Sequence, residues 1–222
     1  MFAVEENKSL IAFSTMRIGG TARYFAVCQD MEEIRTVVRF AKERGVPVVV
    51  VGTGSNMVWS DRVHDIFLLH NTIAGFDVID EDDTSTTVLV GAGENWDIAV
   101  ARCVELGLAG IEAMSAIPGT VGATPVQNVG AYGQEIKDTL VYVEVYDTQT
   151  DEFKKLSNDE CHFRYRDSIF KTEEKGRYII TRVAMKLSKL PPMQPRYPAV
   201  VSYFQEKGIS NPTLEEIRSA IV

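Results

Sequence analysis

The chain has 222 residues, is 45% hydrophobic and carries a formal net charge of -8. That length suits one large domain or two small ones, and the apolar fraction is ordinary for a soluble globular protein. The acidic balance excludes a sequence-independent nucleic-acid binder, which needs a basic face, but leaves room for a small anionic ligand held by a few local donors.

The first nine residues contain no basic segment leading into an apolar run, so no signal peptide is evident. Residues 22–27 read as a short strand. Asp30 and Glu33 form a capping-box pattern that starts a helix, with Ile34, Val37, Val38 and Ala41 on one face. Gly45 and Pro47 end that helix. The β-branched run 48–51 predicts a strand buried on both faces, and the strand–helix–strand order predicts parallel strands. The most apolar run, 46–51, is far too short to span a bilayer.

Residues 66–69 read as a further strand. Residues 76–79 and 86–90 flank an acidic turn and predict a hairpin. Asn95 is placed to cap a helix carrying Ile98, Ala101 and Val104 and ending at Gly107. Residues 140–147 and 178–187 alternate apolar and polar side chains and predict half-buried strands, with 153–156 pairing with the first. Ser157 is placed to cap a short helix through Cys161. Pro191, Pro192, Pro195 and Pro198 mark a linker. Two helical patterns follow, one near 198–207 and one capped by Thr213 with Glu216 and running to the end. Internal repeats and low-complexity segments are absent from the sequence.

Residues 117–133 carry four glycines and two prolines, and no charged residue occurs from 113 to 134 in a chain that is 24% charged. Such a segment lies against something large, flat and mostly apolar; that partner is either a ligand or the protein's own core. GTGSN at 52–56 follows a strand. Its glycines free backbone N–H groups to form an anion-binding nest suited to a pyrophosphate, and a plain tight turn is the other reading. The motif is neither the Rossmann fingerprint nor a P-loop, since the third glycine and the lysine are missing. GAGENW at 91–96 repeats the strand-exit pattern. With the glycine-rich segment, the two exits imply one long ligand touching several loops.

FRYRDS at 163–168 concentrates arginine in an acidic protein. Arginine suits bidentate recognition of carboxylate or phosphate. Arg164 reads as part of a surface salt-bridge cluster, and Arg166, with Asp167 placed to orient it, as functional. Cys28, Cys103 and Cys161 are far apart and form no CxxC, which suits a reducing compartment rather than a disulfide framework or a zinc site. His64, His70 and His162 are scattered. No GxSxG motif and no Cys/His pair supports covalent catalysis. A cytoplasmic location with no membrane and no nucleic-acid partner is the expectation.

Six motifs occur in order: STMRIGG (14–20), GTGSN (52–56), VGAGEN (90–95), IPGTVG (117–122), PVQNVGAYG (125–133) and YRDSIF (165–170). Together they closely resemble the UDP-N-acetylenolpyruvoylglucosamine reductase family, from about residue 14 to the end. The resemblance implies an α+β architecture of the vanillyl-alcohol-oxidase/PCMH type, with two FAD-binding subdomains at 1–70 and 71–188. Residues 189–222 would be a linker and the start of a substrate-binding domain. It implies that Val51, Gly52, Thr53, Gly54, Ser55 and Asn56 cradle the FAD pyrophosphate. Ser115, Pro118, Gly119, Gly122, Ala123, Gln127, Asn128, Gly130 and Tyr132 would lie along the rest of the cofactor.

The implied reaction uses NADPH to reduce FAD, and reduced FAD to reduce the enolpyruvyl group of UDP-N-acetylglucosamine enolpyruvate, in peptidoglycan precursor synthesis. A cation against the substrate carboxylate stabilises the developing enolate. Arg166 matches the family's arginine for that role, while Tyr165 and Tyr197 match substrate-binding positions. A monomer is expected. The family continues into a third domain, whose NAGSFF-like motif supplies a proton-donating serine or cysteine and which also carries a later glutamate. Neither is present in these residues. The expectation is therefore a fragment that binds FAD without completing the reduction efficiently. A non-catalytic flavin- or nucleotide-binding module and another FAD oxidoreductase of the same superfamily are the alternatives; YRDS speaks against the second.

Overall fold

A computed structural model describes residues 3–222, which form a four-stranded sheet, a five-stranded sheet and a two-stranded hairpin. The first sheet uses β1 (Glu5–Ser9), β2 (Thr21–Cys28), β3 (Val48–Val51) and β4 (Val63–Asn71), in the order β1-β2-β4-β3. Helix α1 (Met31–Glu43) joins β2 to β3. Both strands run parallel to β4, which lies between them. The parallel expectation therefore holds, but β3 is an edge strand. Val50 is 38% exposed, so the valine run is not buried on both faces. Its apolar residues reflect one covered face and a β-branched edge.

Asp30 caps α1 by accepting from the Glu33 N–H at 2.8 Å. The Glu33 carboxylate accepts from the Gln29 N–H, one residue before the cap, so the box is displaced by one position. The predicted face Ile34, Val37, Val38 and Ala41 is buried against Tyr24, Phe67 and Leu69.

The second sheet has the order β10-β9-β11-β6-β5. Its strands are β5 (Phe76–Glu81), β6 (Ser85–Gly91), β9 (Leu140–Asp147), β10 (Glu152–Ser157) and β11 (Tyr178–Ser188), all paired antiparallel, while β7 (Gly130–Ala131) and β8 (Gln134–Glu135) form the separate hairpin. Strand β11 is central and largely buried on both faces, more so than its alternation predicts. Helix α2 (Trp96–Glu105) packs on this sheet. Asn95 caps it by accepting from the Ile98 N–H at 3.0 Å. The buried face is Trp96, Ala99, Val100, Cys103 and Val104, whereas Ile98 is 65% exposed. The predicted face is thus rotated, because the fully buried Trp96 anchors the first turn and directs Ile98 outward.

The two sheets share side chains. Tyr146 of β9 and Ile179 of β11 are buried in the core beneath α1. At the β9–β10 turn, Asp151 accepts from Arg39 of α1 at 2.5 Å and from the Tyr146 hydroxyl at 2.5 Å. Buried Asn71, at the end of β4, donates to the Ile180 carbonyl of β11 at 2.9 Å. After the proline linker, α3 (Pro198–Glu206) and α4 (Leu214–Ile221) pack together. Thr213 and Glu216 form the predicted capping box of α4. No helix among the described residues is long and apolar enough to cross a membrane.

Candidate functional site: a glycine-lined crease and an arginine rim

Two loops meet where β3 ends. Residues 52–56 lie against residues 117–127. The Ser55 hydroxyl donates to the Pro118 carbonyl at 3.0 Å, and the Asn56 amide donates to Gln127 Oε1 at 3.0 Å. A β-carbon on Gly52 would stand 2.5 Å from Thr120 Oγ1, so the backbone approach requires glycine. Gly54 has φ +72 and presses on the Phe13 carbonyl, a second position closed to side chains.

Among the described residues, the backbone N–H groups of 52–56 and of Gly119 and Thr120 find no acceptor within the chain. Backbone donors of this kind, gathered at glycine turns, form a concave anion site. The crease therefore fits a pyrophosphate, and the charge-free segment beside it suits the flat, apolar body of a flavin. FAD combines both groups. Val51, Gly52, Thr53, Gly54, Ser55, Asn56, Pro118, Gly119 and Gln127 are the residues in position to hold it.

The second glycine turn does different work. The Gly91 N–H donates to the Gly75 carbonyl at 2.8 Å and the Gly93 N–H to the Ile73 carbonyl at 2.8 Å, so those donors are spent. This turn supports the crease from beneath. The Gly122 N–H donates to the Ala92 carbonyl and the Val121 N–H to the Glu94 carbonyl, both at 2.9 Å, and the Trp96 N–H donates to the Gly119 carbonyl at 3.1 Å. The implied contact of both strand exits with one ligand is replaced by one exit facing the crease and one holding its floor. Gly122 and Ala123 belong to that floor.

Two of the expected cofactor residues turn their side chains inward. Ser115 is 3% exposed, and its hydroxyl donates to the Glu112 carbonyl at 2.7 Å. Asn128 is 1% exposed, with left-handed φ of 44°. Its amide nitrogen donates to Glu135 Oε2 and to the Arg164 carbonyl, each at 3.0 Å, and its Oδ1 accepts from the Lys137 N–H at 3.2 Å. These side chains join the glycine-rich segment to its neighbours, and the backbone N–H groups are spent as well, Ser115 on the Glu112 carbonyl and Asn128 on the Pro125 carbonyl, both at 3.3 Å.

The same segment leads to a rim. The Gly130 carbonyl accepts from Arg166 Nη2 at 2.7 Å. Tyr132 meets Tyr197 edge to face, with ring centroids 5.2 Å apart. Arg166 has φ +54, and its own carbonyl accepts from Lys171 Nζ at 2.9 Å. Beneath it, Ile169 and Phe170 are buried, and the Ser168 hydroxyl donates to the Val126 carbonyl at 2.7 Å. Among the described residues, no carboxylate lies within ion-pair distance of Arg166, which leaves its guanidinium able to receive an anion. Asp167 lies 3.8 Å from Arg164 instead, so it does not orient Arg166 as expected. Arg164 also pairs with Glu173 at 3.0 Å, in keeping with a surface cluster. Tyr165 is 82% exposed.

Several site residues are not picked out individually by the sequence. Thr120 closes the crease. Glu112, 1% exposed, accepts from Gln134 Nε2 at 2.9 Å, while Gln134 Oε1 accepts from the Ala113 N–H at 2.8 Å. Asp97 accepts from the Ala116 N–H at 2.7 Å. Each depends on a partner far along the chain or on a loop whose path sequence does not reveal.

Residues 22–157 match the family described as FAD binding domain. Curated relatives include the UDP-N-acetylenolpyruvoylglucosamine reductase of Pseudomonas syringae pv. tomato, 39% identical over 98% of this chain and 64% of the relative. That of Flavobacterium johnsoniae is 37% identical over 99% of this chain and 64% of the relative. The chain thus spans somewhat less than two thirds of the length of these relatives. Among solved structures, the corresponding reductase of Thermus caldophilus superposes with a TM-score of 0.71 at 24% identity, covering 100% of this chain and 67% of that one. The 6-hydroxy-D-nicotine oxidase of Arthrobacter nicotinovorans gives a TM-score of 0.62 at 18% identity, covering 86% and 43%. Fold, crease and sequence agree: this chain belongs to the FAD binding domain family, in its vanillyl-alcohol-oxidase type of fold, and resembles UDP-N-acetylenolpyruvoylglucosamine reductases along nearly its whole length.

Proposed function

We propose that the chain binds FAD in the crease and belongs to an enzyme that uses NADPH to reduce UDP-N-acetylglucosamine enolpyruvate to UDP-N-acetylmuramate. The observation that carries this reading is one continuous segment, 117–132. One end faces the free backbone donors of 52–56, and the other places Gly130 against the unpaired guanidinium of Arg166. This supports a phosphate site and a carboxylate site at opposite ends of an uncharged wall.

FAD, when bound, supplies the hydride chemistry between the nicotinamide and the enolpyruvyl double bond. The chain's own groups do the rest. Backbone N–H groups at 52–56, 119 and 120 would hold the pyrophosphate by hydrogen bonds. Arg166 fixes the substrate carboxylate and stabilises the enolate charge that grows there, an interaction stronger in the transition state than in the bound substrate. The Gly130 carbonyl and the buried anchors at 168–170 hold the guanidinium in place. Tyr197 meets the substrate diphosphate at the rim, with Tyr132 on the cofactor side of the same ring contact, and exposed Tyr165 is a further substrate contact. The proposed division is 1–70 and 71–188 as the two flavin subdomains, with 189–222 leading toward the substrate domain. The role in peptidoglycan precursor synthesis, the cytoplasmic location and a monomeric state belong to the same proposal.

The test is spectroscopic. The purified chain should take up FAD, bleach anaerobically with NADPH and regain colour only slowly when UDP-N-acetylglucosamine enolpyruvate is added, because the proton-donating motif implied by the resemblance is not among these residues. A protein that takes up no FAD overturns the proposal at its root. Bleaching with little substrate-driven return of colour would support a half-enzyme, whereas return of colour at a normal rate would overturn the assignment of the proton donor to the NAGSFF-like motif.

A further inference from the structure

Asp97, in the first turn of α2, ties three parts of the molecule together. Its carboxylate accepts from Arg218 of α4 through both oxygens, at 2.6 and 2.9 Å, across 121 positions of sequence. The same Oδ1 accepts from the Ala116 N–H at 2.7 Å. Ala116 opens the segment that forms the apolar wall, and it holds a left-handed φ of 60°, which strains an alanine. Helix α4 grips the same region a second time, because its Ile217 is buried with Ala113. The Arg218 and Asp97 side chains are 20% and 34% exposed, so water does not fully screen the pair. Asp97 is held below the usual carboxylate range chiefly by the Arg218 hydrogen bond, against the opposing pull of burial.

We infer that Asp97 is a positioning residue through which α4 sets the Ala116 backbone and thereby the affinity of the crease for flavin. The inference rests on the FAD reading above. The ion pair fixes the carboxylate, the carboxylate fixes one N–H, and that N–H holds the strained turn from which Ile117, Pro118 and Gly119 reach the crease. A break at α4 should therefore be felt at the cofactor, although α4 contributes no residue to the crease.

Amide exchange at Ala116 and FAD titration, measured on the FAD-free chain and its variants, test this. Arg218→Met should raise Ala116 exchange and weaken FAD binding by about ten-fold, while amides of β9 and β11 keep their protection. Asp97→Ala should do more. Ala116→Gly removes the left-handed strain and, combined with Arg218→Met, should return FAD affinity toward wild type, a rescue that general loss of packing would not give. Arg218→Met with unchanged Ala116 exchange and unchanged FAD affinity overturns the inference, even if Asp97→Ala fails to fold. If the wild-type chain takes up no FAD, the flavin reading falls by itself. The exchange data then decide the Arg218–Asp97–Ala116 tie alone: raised exchange supports it and unchanged exchange overturns it.

Discussion

Gly52 and Thr120 meet across the crease with no space for a side chain between them: a β-carbon on Gly52 would lie 2.5 Å from Thr120 Oγ1 and 2.8 Å from its Cγ2. Gly52→Ala must push the two loops apart and misalign the donors on each. FAD affinity should fall by about ten-fold or more, roughly 1.4 kcal/mol. Adding Thr120→Ala removes both close atoms and should restore much of the loss, a coupling a double-mutant cycle would measure. A Gly52→Ala protein that binds FAD as tightly as wild type would show that the two loops do not enclose the cofactor.

Arg166 separates binding from chemistry. Its guanidinium faces the rim rather than the crease, so Arg166→Met should leave FAD uptake and NADPH-driven bleaching intact. Reoxidation by the enolpyruvyl substrate should slow by about 10² to 10³-fold, the usual loss when one charge-stabilising donor is removed. Arg166→Lys should recover only part of this, since an ammonium cannot make the planar two-point contact. Stopped-flow absorbance resolves the two half-reactions. Slowed bleaching with normal reoxidation would place Arg166 on the nicotinamide side instead.

Acid should find Asp147 early. Its side chain is fully buried; burial pushes its pKa up, and the hydrogen bonds from Arg177 at 2.9 Å and Lys154 at 2.5 Å outweigh that and hold it below the usual range. A depressed pKa contributes stability that is complete above the unfolded carboxylate value of about 4 and is lost as pH falls toward the folded value. Asp147→Asn takes the carboxylate from Lys154 and leaves Arg177 only Glu174, at 3.2 Å, and should cost about 3 kcal/mol near neutral pH, at the low end for buried pairs because Arg177 and Lys154 are partly exposed. The difference in Tm between wild type and Asp147→Asn should shrink steadily below about pH 4. An equal difference at pH 7 and pH 3 would refute the assignment.

The three thiols should be silent. Cys28, Cys103 and Cys161 are buried, and burial pushes each pKa up to about 12. Little thiolate forms at pH 8, and the thiolate is the reactive species. A thiol reagent should label no cysteine in the native chain and all three after denaturation. Rapid labelling of native protein would mean that the core opens readily.

What the sequence disclosed and what it withheld follow from the range of the interactions. Caps at Asp30, Asn95 and Thr213, the apolar face of α1 and the hairpin pairs are local, so a few neighbouring residues specify them. The glycine-rich segment was legible because an uncharged run in a charged chain needs an apolar partner. The place of Val48–Val51 at a sheet edge was hidden, since it depends on β4 returning between β2 and β3. The buried roles of Asn128 and Ser115 were hidden for a related reason. A motif marks a position without saying which way its side chain turns. Asn71 and Asp97 find partners 109 and 121 residues away, beyond any local pattern.

The sharing of Tyr146 and Ile179 with the core beneath α1, and the Arg39–Asp151 tie beside them, hold the two sheets together at a place away from the crease. Join and crease can therefore diverge separately: the loops at 52–56 and 117–127 can be exchanged for those of another specificity while the joined sheets serve as an unaltered scaffold.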